Sequence, residues 1–258
     1  MTFGKYAVGW RVYGLGLAAM GLINLVLRDF DPGQPVPKSF PGRLGLAFVA
    51  GAFMLVAGAA ATWRRTAPWA AATLTGYFAL IVVILMNGAV VLRHPREFGA
   101  YSGAAEQLAL AAVGLIVFAA TARIDARAAA RLARVGQLTF GVCAVLFGGA
   151  HFVYLDLTAP LIPKWLPPGQ VFWAYATGAA QIAAGVAIVT GVRAQLAAIL
   201  LTVMYAAFTP LVHLPRLMAD PSRPFYWTET ALNLALTGAA WVVADSLRPA
   251  TPLIADRE

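Results

Sequence analysis

Long apolar runs, separated by short stretches that carry charges and prolines, dominate the pattern of the chain. A helix needs roughly 20 apolar residues to cross about 30 Å of hydrocarbon. Eight runs have this length, near 8–27, 42–62, 68–92, 105–122, 134–156, 169–190, 193–215 and 226–245. The pattern predicts an all-α, polytopic membrane protein with eight transmembrane helices. No small-residue cleavage site follows the first run, so we expect it to be retained.

Composition and charge support this interpretation. Of the 258 residues, 60% are hydrophobic and 12% are charged, which is more apolar surface than a soluble domain can bury. Most Lys and Arg residues fall in the connections on the side of both termini, including Arg64, Arg65, Arg123 and Arg127. The positive-inside rule therefore predicts cytoplasmic termini. The basic residues lie in short loops rather than in one patch, so we expect membrane lipid and no nucleic acid as a partner.

The two halves of the chain share a residue pattern. A constant shift places Gly21 on Gly148 and Asn24 on His151. The same register pairs Asp29 with Asp156, Gly51 with Gly178, and Gly58 with Gly185, and a slightly shorter shift pairs Glu106 with Glu229. We interpret residues 1–125 and 126–258 as two four-helix repeats. An even number of spans in each unit gives both units the same orientation, so we predict parallel-repeat four-helix bundles.

Polar residues inside the predicted spans concentrate in the second half. His151, Gln181 and Asn233 stand where the first half has Asn24, Met54 and Leu110. Gln181 shares a helix face with Ala174, Gly178 and Gly185, and these small residues allow close approach of a neighbouring helix. Buried polar groups in a membrane are costly and mark either a function or a buried partner. We therefore predict a cavity in the second half that opens away from the termini and is bounded by His151, Gln181, His213, Glu229 and Asn233.

The side chains of these residues indicate two roles, proton exchange and the binding of a small molecule. His151 and Glu229 are the candidate catalytic residues, because an imidazole and a carboxyl group can exchange protons. The candidates for binding a small molecule are Gln181, Asn233, His213, Tyr154, Tyr175 and Tyr205. Each position also has a structural interpretation, since a buried imidazole or amide can join helices and a tyrosine can pack at the membrane interface.

Several kinds of site are not predicted. Cys143 is the only cysteine, so one chain cannot build a disulfide relay or a thiolate metal site. The three histidines, His94, His151 and His213, have no ligand spacing, so we expect no metal and no haem. The chain also has no phosphate-binding glycine loop, HExxH motif or serine elbow.

The segments "GVCAVLFGGAHF", "YATGAAQIAAGVAIVTG" and "YAAFTPLVH" resemble the DoxX family of four-helix membrane proteins. The likeness covers the second half directly and reaches the first half only through the internal repeat. Where the family favours Glu between two glycines, this chain has Gln181, which puts proton chemistry at that position in doubt.

The resemblance implies a protein of the bacterial inner membrane beside a redox enzyme, with a possible quinone ligand and a redox partner subunit. Two other functions stay open: a non-catalytic protein for membrane assembly or for lipid or solute handling, and an acid–base enzyme acting on a terpenoid or other lipid. The sequence leaves the oligomeric state open.

Overall fold

The structure is a computed structural model that describes residues 7–248, and these residues form helices with no strand among them. The helices are α1 (Gly9–Leu27), α2 (Arg43–Ala61), α3 (Ala67–Arg93), α4 (Phe98–Thr121), α5 (Ala126–Val153), α6 (Leu155–Thr158), α7 (Gln170–Thr190), α8 (Ala194–Ala219) and α9 (Pro224–Ser246). Within the described range, 7 helices, all except α6 and α9, are long and apolar enough to cross a membrane. This all-helical architecture is the one expected of an integral membrane protein.

Successive long helices run antiparallel and define two faces of the bundle. The connections 28–42, 94–97, 154–169 and 220–223 lie on one face, which we call the distal face. The start of α1 and the end of α9 lie on the opposite face, which we call the terminal face. Lys5 and Arg257, which add to the charge count of the terminal side, lie outside the described residues.

Glycines allow the first two helices of each half to touch along their backbones. In the α1–α2 pair, a Cβ atom on Gly14 would lie 2.7 Å from the carbonyl oxygen of Gly58. In the α5–α7 pair, a Cβ atom on Gly141 would lie 3.0 Å from the carbonyl oxygen of Gly185. These four glycines occupy corresponding places under the constant shift. A larger side chain would separate either pair of helices.

The two predicted halves pack across each other. Helix α1 packs against both α2 and α9, and α4 packs against both α3 and α5. Gly16 lies directly against Ala235, and a Cβ atom on Gly136 would lie 2.5 Å from the carbonyl oxygen of Ala112. Helices α4 and α9 also contact each other. The first helix of each half therefore packs on the fourth helix of the other half.

Helix α5 begins earlier than the hydrophobic pattern predicts. The sequence places the start of this span near residue 134, whereas the helix starts at Ala126. The side chain of Asp125 accepts a hydrogen bond of 2.9 Å from the backbone N–H of Ala128, which satisfies a donor of the first turn. The alanines and arginines that follow are good helix formers, so the helix extends beyond its apolar part.

Helices α3 and α8 each contain a π-helical segment. In α3 it spans Tyr77–Asn87, and in α8 it spans Thr209–His213. In α8, Pro210 has no backbone N–H and cannot continue the α-helical hydrogen bonds. Segments of this kind often accompany functional sites because they alter the direction of side chains.

Candidate functional site

One cavity of about 230 Å³ collects most of the predicted site residues. It lies where α4, α5, α7, α8 and α9 meet. The polar residues that line it are Ser102, Glu106, His151, Thr158, Gln181, Tyr205, His213, Glu229 and Asn233. Phenylalanine, leucine and alanine side chains form the remaining walls. Five helices that are distant in sequence thus bring a polar cluster together inside a mainly apolar bundle.

The α5–α7 contact positions His151. His151 lies in the last turn of α5, and Gly178 of α7 faces it. A Cβ atom on Gly178 would lie 2.7 Å from the Cβ atom of His151, so only glycine leaves room for the imidazole. The face of α7 that the sequence predicts to point inward is buried, including Ala174, Gly178, Gln181 and Gly185.

A chain of hydrogen bonds fixes the imidazole. The hydroxyl of Tyr205 donates to Gln181 Oε1 over 3.2 Å, and Gln181 Nε2 donates to His151 Nε2 over 3.0 Å. His151 Nδ1 lies 3.1 Å from the carbonyl oxygen of Ala174. A carbonyl oxygen only accepts, so Nδ1 carries the proton and Nε2 accepts from Gln181. Both nitrogens of the neutral ring therefore have protein partners.

Asn233 holds α8 at its irregular segment. Its Nδ2 donates to the carbonyl oxygen of Tyr205 over 3.1 Å and to Thr209 Oγ1 over 2.8 Å. The backbone N–H of Thr209 bonds to the carbonyl oxygen of Ala206, which leaves the Tyr205 carbonyl available. Asn233 therefore fixes the helix that carries Tyr205 and His213.

The sequence predicts a cavity within the second half, but the observed cavity also includes residues of the first half. Ser102 and Glu106 of α4 line it, and both belong to the first half. The sequence pattern pairs Glu106 with Glu229, but it does not show that the two carboxyl groups line one cavity. The missing information was the packing of α4 against α5 and α9, which no hydrophobic pattern reports.

Several lining groups have no protein partner within residues 7–248. No hydrogen bond or ion pair there involves the side chains of Ser102, Glu106, His213 or Glu229, and the Oδ1 atom of Asn233 is likewise without a partner. Carboxylate and amide oxygens accept hydrogen bonds. The free acceptor oxygens of Glu106, Glu229 and Asn233 outnumber the free donors, which are the Ser102 hydroxyl and one ring nitrogen of His213, while Tyr205 and His151 already use their donors within the protein.

A second cavity of about 500 Å³ continues from the first toward the distal face. It shares Glu106, His213 and Glu229 with the first cavity and adds Tyr154, Arg216 and Tyr226. The guanidinium of Arg216 lies 4.8 Å from the centre of the Tyr226 ring. The polar cluster is therefore joined to the distal connections.

The predicted tyrosines have different positions. Tyr205 lines the inner cavity and Tyr154 the outer one, where its hydroxyl accepts a 2.7 Å hydrogen bond from the backbone N–H of Gly99. Tyr175 lines neither cavity. Its ring packs 5.3 Å from that of Phe152 and it is 40% exposed. Tyr175 therefore lies outside both cavities, because its position on α7 turns it away from Gln181.

The distal connection 28–42 fills the corresponding place of the first half. Gln34 is 1% exposed; it accepts a 2.8 Å hydrogen bond from the Tyr77 hydroxyl and donates over 3.2 Å to the sulfur of Met54. Asn87 Nδ2 donates to the carbonyl oxygen of Gly33 over 3.0 Å. The counterpart of Gln34 under the constant shift is Leu161, which lines the cavity. The first half thus holds its own loop where the second half has open space.

Asp31 belongs to the same connection and is 4% exposed. Burial raises the pKa of its carboxyl group from 3.8 to about 6, and a hydrogen bond from the backbone N–H of Gly33 opposes the shift. Among residues 7–248, no group of three or more His, Cys, Asp and Glu side chains could hold a metal ion. Cys143 is a free thiol and is buried.

The comparisons with known proteins add one match. A family described as a domain of unknown function, DUF8561, matches residues 140–244. This region runs from α5 to α9 and includes His151, Gln181, His213 and Glu229, but not Glu106. No curated protein and no solved structure matches the chain.

Proposed function

We propose that the protein binds a lipid-soluble small molecule with hydroxyl groups, of the quinol class, in the cavity between α4, α5, α7, α8 and α9. The observation that carries the proposal is the set of acceptors without protein partners, above all Glu106 and Glu229. A ligand that donates hydrogen bonds can satisfy these acceptors, whereas a ligand with only carbonyl oxygens can pair only with the free donors of Ser102 and His213. The apolar walls suit a ring, and such a mixture of surfaces is usual in ligand sites.

Two hydrogen-bond donors of the cavity are already used within the protein, which favours the reduced form of a quinone over the oxidised form. The Tyr205 hydroxyl donates to Gln181, and the His151 Nδ1–H donates to Ala174. A quinol hydroxyl can instead donate to Glu229, Glu106 or the Asn233 oxygen. When such a ligand is bound it supplies the redox chemistry. The carboxyl groups of this chain orient its hydroxyls and hold the protons that they release.

The test is equilibrium binding of decylubiquinol and decylubiquinone to the purified protein. We expect the quinol to bind more tightly. Glu229→Gln should weaken quinol binding about threefold to tenfold, because it replaces one of the oxygens that accept from the ligand hydroxyl and a hydrogen bond contributes about 0.5 to 1.5 kcal/mol. Organic extraction of the purified protein, followed by chromatography, should also recover a lipid-soluble redox carrier.

The matched control is Glu97→Gln, which removes a carboxylate on the distal face that pairs with His94 over 2.9 Å and lies outside the cavity. It should bind the quinol as the unmodified protein does. Equal binding of both redox forms, together with no effect of Glu229→Gln or Glu106→Gln, would contradict the proposal.

We propose further that the chain has eight spans, arranged as two DoxX-like repeats of residues 1–125 and 126–258. Helix α9 has 23 residues, a length of about 34 Å at 1.5 Å per residue. It packs against α1, α4 and α8, and a helix enclosed by protein can carry polar residues such as Glu229 at a lower hydropathy. The matching glycine contacts of α1–α2 and α5–α7 support the repeat.

The cellular setting belongs to the same proposal. We infer a location in the bacterial inner membrane with both termini cytoplasmic, supported by the positive charge of the terminal side. A redox enzyme beside this protein would exchange electrons with the bound quinol. The protein itself would then act as the subunit that receives the membrane-soluble carrier.

A second candidate function is acid–base conversion of a hydroxylated terpenoid or other lipid. Two carboxyl groups and the unpartnered imidazole of His213 at one cavity favour it, because an acid and a base on the same substrate can move a proton between two of its carbons. Organic extraction distinguishes the two functions: a redox-inactive terpenoid in place of a quinone would favour the enzyme.

A further inference from the structure

A groove of about 650 Å³ lies on the first half, away from the polar cavity. It runs between α2 and α3 under the distal connection 28–42. Its walls are apolar, and Val49, Ile81 and Leu85 are also exposed on the outside of the bundle. The volume is within the range of about 300–1,000 Å³ that is usual for ligand pockets. Because the exposed walls belong to spanning helices, the groove is accessible from the hydrocarbon of the bilayer.

The roof of the groove is held in place by Arg43. Its Nε donates over 3.2 Å to the carbonyl oxygen of Val36, and its guanidinium pairs with Asp29. The same guanidinium lies 5.6 Å from the centre of the Phe30 ring. Phe30 and Val36 both line the groove. The roof is therefore fixed to the start of α2, and Arg43 has no free charge for a ligand.

Arg93 supplies a free charge at the rim. It is the last residue of α3, it lines the groove and it is exposed. No ion pair or hydrogen bond involves its side chain within residues 7–248. The nearest carboxylate along the chain, Glu97, pairs with His94. An apolar groove that faces hydrocarbon and ends at an unpaired guanidinium on the distal face complements a lipid with an anionic headgroup.

We propose that this groove binds an anionic phospholipid, with one acyl chain between α2 and α3 and the phosphate at Arg93. The site is separate from the quinol cavity and does not depend on it. The second half has no arginine at this place, because Asp220 corresponds to Arg93 under the constant shift and pairs with Arg223 over 2.9 Å.

The test uses the full chain in phosphatidylcholine vesicles that contain a small fraction of phosphatidylglycerol with a photoreactive diazirine on its acyl chain. We expect the label to concentrate on the parts of α2 and α3 that line the groove. Arg93→Gln should reduce this labelling about fivefold, the effect of one cation near an anionic lipid. The matched control, Arg96→Gln, removes an exposed arginine of the same face outside the groove and should leave labelling unchanged.

A second pair of variants tests the position of the acyl chain. Ala89→Phe should fill the groove and lower the labelling, whereas Ile84→Phe enlarges an exposed residue of α3 outside the groove and should not. Circular dichroism and gel filtration show whether each variant is folded. Equal labelling of all lipid-facing helices, equal effects of Arg93→Gln and Arg96→Gln, or equally strong labelling by a phosphatidylcholine analogue would overturn the proposal.

Discussion

His151 and Asn24 occupy corresponding places on α5 and α1, but their surroundings differ. The imidazole has protein partners at both ring nitrogens. Asn24 is 1% exposed, and within residues 7–248 neither its Nδ2 nor its Oδ1 has a hydrogen-bond partner. An unpaired buried amide costs about 1–3 kcal/mol. The polar atoms of Asn24 therefore lower the stability of the fold, whereas those of His151 hold Gln181 at the cavity.

His151→Ala should abolish quinol binding and leave the protein folded, because the ring orients Gln181 and lines the cavity. Asn24→Ala should leave binding unchanged and alter thermal stability only slightly, because removal of the unpaired amide offsets the loss of side-chain packing. Ligand titration and thermal unfolding of the two variants, side by side, check the prediction. Equal losses of binding would show that the second half is not specialised.

Asp31 should make the stability of the protein depend on pH. Its pKa is raised from 3.8 to about 6, so between these values the folded protein keeps a proton that the unfolded chain has released. Stability is therefore highest below the lower value and falls as the pH rises toward the upper one. The total change is about 3 kcal/mol, from about 1.4 kcal/mol per pKa unit.

Thermal unfolding across this pH range checks the prediction for Asp31. Asp31→Asn should remove most of the decrease, because an amide does not titrate. An Asp31→Asn variant with the same pH profile as the unmodified protein would show that another group is responsible.

At the scale of single residues, the sequence identifies the second-half members of the cavity. His151, Gln181 and Asn233 are found because the first half has less polar residues at the same places. That comparison cannot find Glu106, whose counterpart Glu229 is identical in type. It also cannot separate Tyr205 from Tyr175, because the choice depends on which way each helix faces.

Helix pairs are the next scale, and here glycine determines the distance between backbones. Gly178 and Gly51 are corresponding residues of α7 and α2. A Cβ atom on Gly51 would lie 3.2 Å from the Cβ atom of Asn24, and one on Gly178 would lie 2.7 Å from that of His151. Replacing each of these two glycines with alanine therefore distinguishes an effect on helix packing from an effect on ligand binding.

Gly178→Ala should lower both thermal stability and quinol affinity, because the added methyl group displaces His151 from Gln181. Gly51→Ala should lower stability alone, by about 1–3 kcal/mol, the usual cost of overpacking. Unfolding and ligand titration of both variants check this. Retention of full affinity in Gly178→Ala would show that the α5–α7 contact does not position His151.

The hydrophobic pattern predicts the existence of the long helices better than their limits. It finds the apolar part of α5 but not the turns from Ala126 onward, which depend on the Asp125 cap and on helix-forming residues that are polar. It also does not predict the π-helical segments; the one in α8 contains Pro210, and Asn233 of α9 donates to Thr209 and to the Tyr205 carbonyl beside it.

At the scale of the whole molecule, the cross-packing of α1 on α9 and of α4 on α5 makes each half incomplete alone. We expect residues 1–125 and 126–258, expressed separately, to be degraded or aggregated. Co-expression should restore a complex that binds the quinol. Affinity purification of one tagged half checks whether the other is retained. A stable single half with ligand affinity would contradict the shared cavity.

Membrane orientation is a second prediction at this scale. Reporters fused at Met1 and after Glu258 should both score cytoplasmic, and one inserted near Lys164 should score external, because the terminal side has more positive charge. Met1 and Glu258 themselves lie outside the described residues. The opposite labelling would contradict the charge argument. The sequence supports this orientation, but it does not reveal which helices meet in the centre.

Joining two units in one chain allows Gln34 to close the first half while the second half stays open. Two separate copies of one unit would have identical sequences, and any closed site in one copy would be closed in the other. A single chain that contains both units is free of this constraint. One loop can bury a glutamine while its counterpart keeps Leu161, so the polar cavity is open at only one of the two corresponding places.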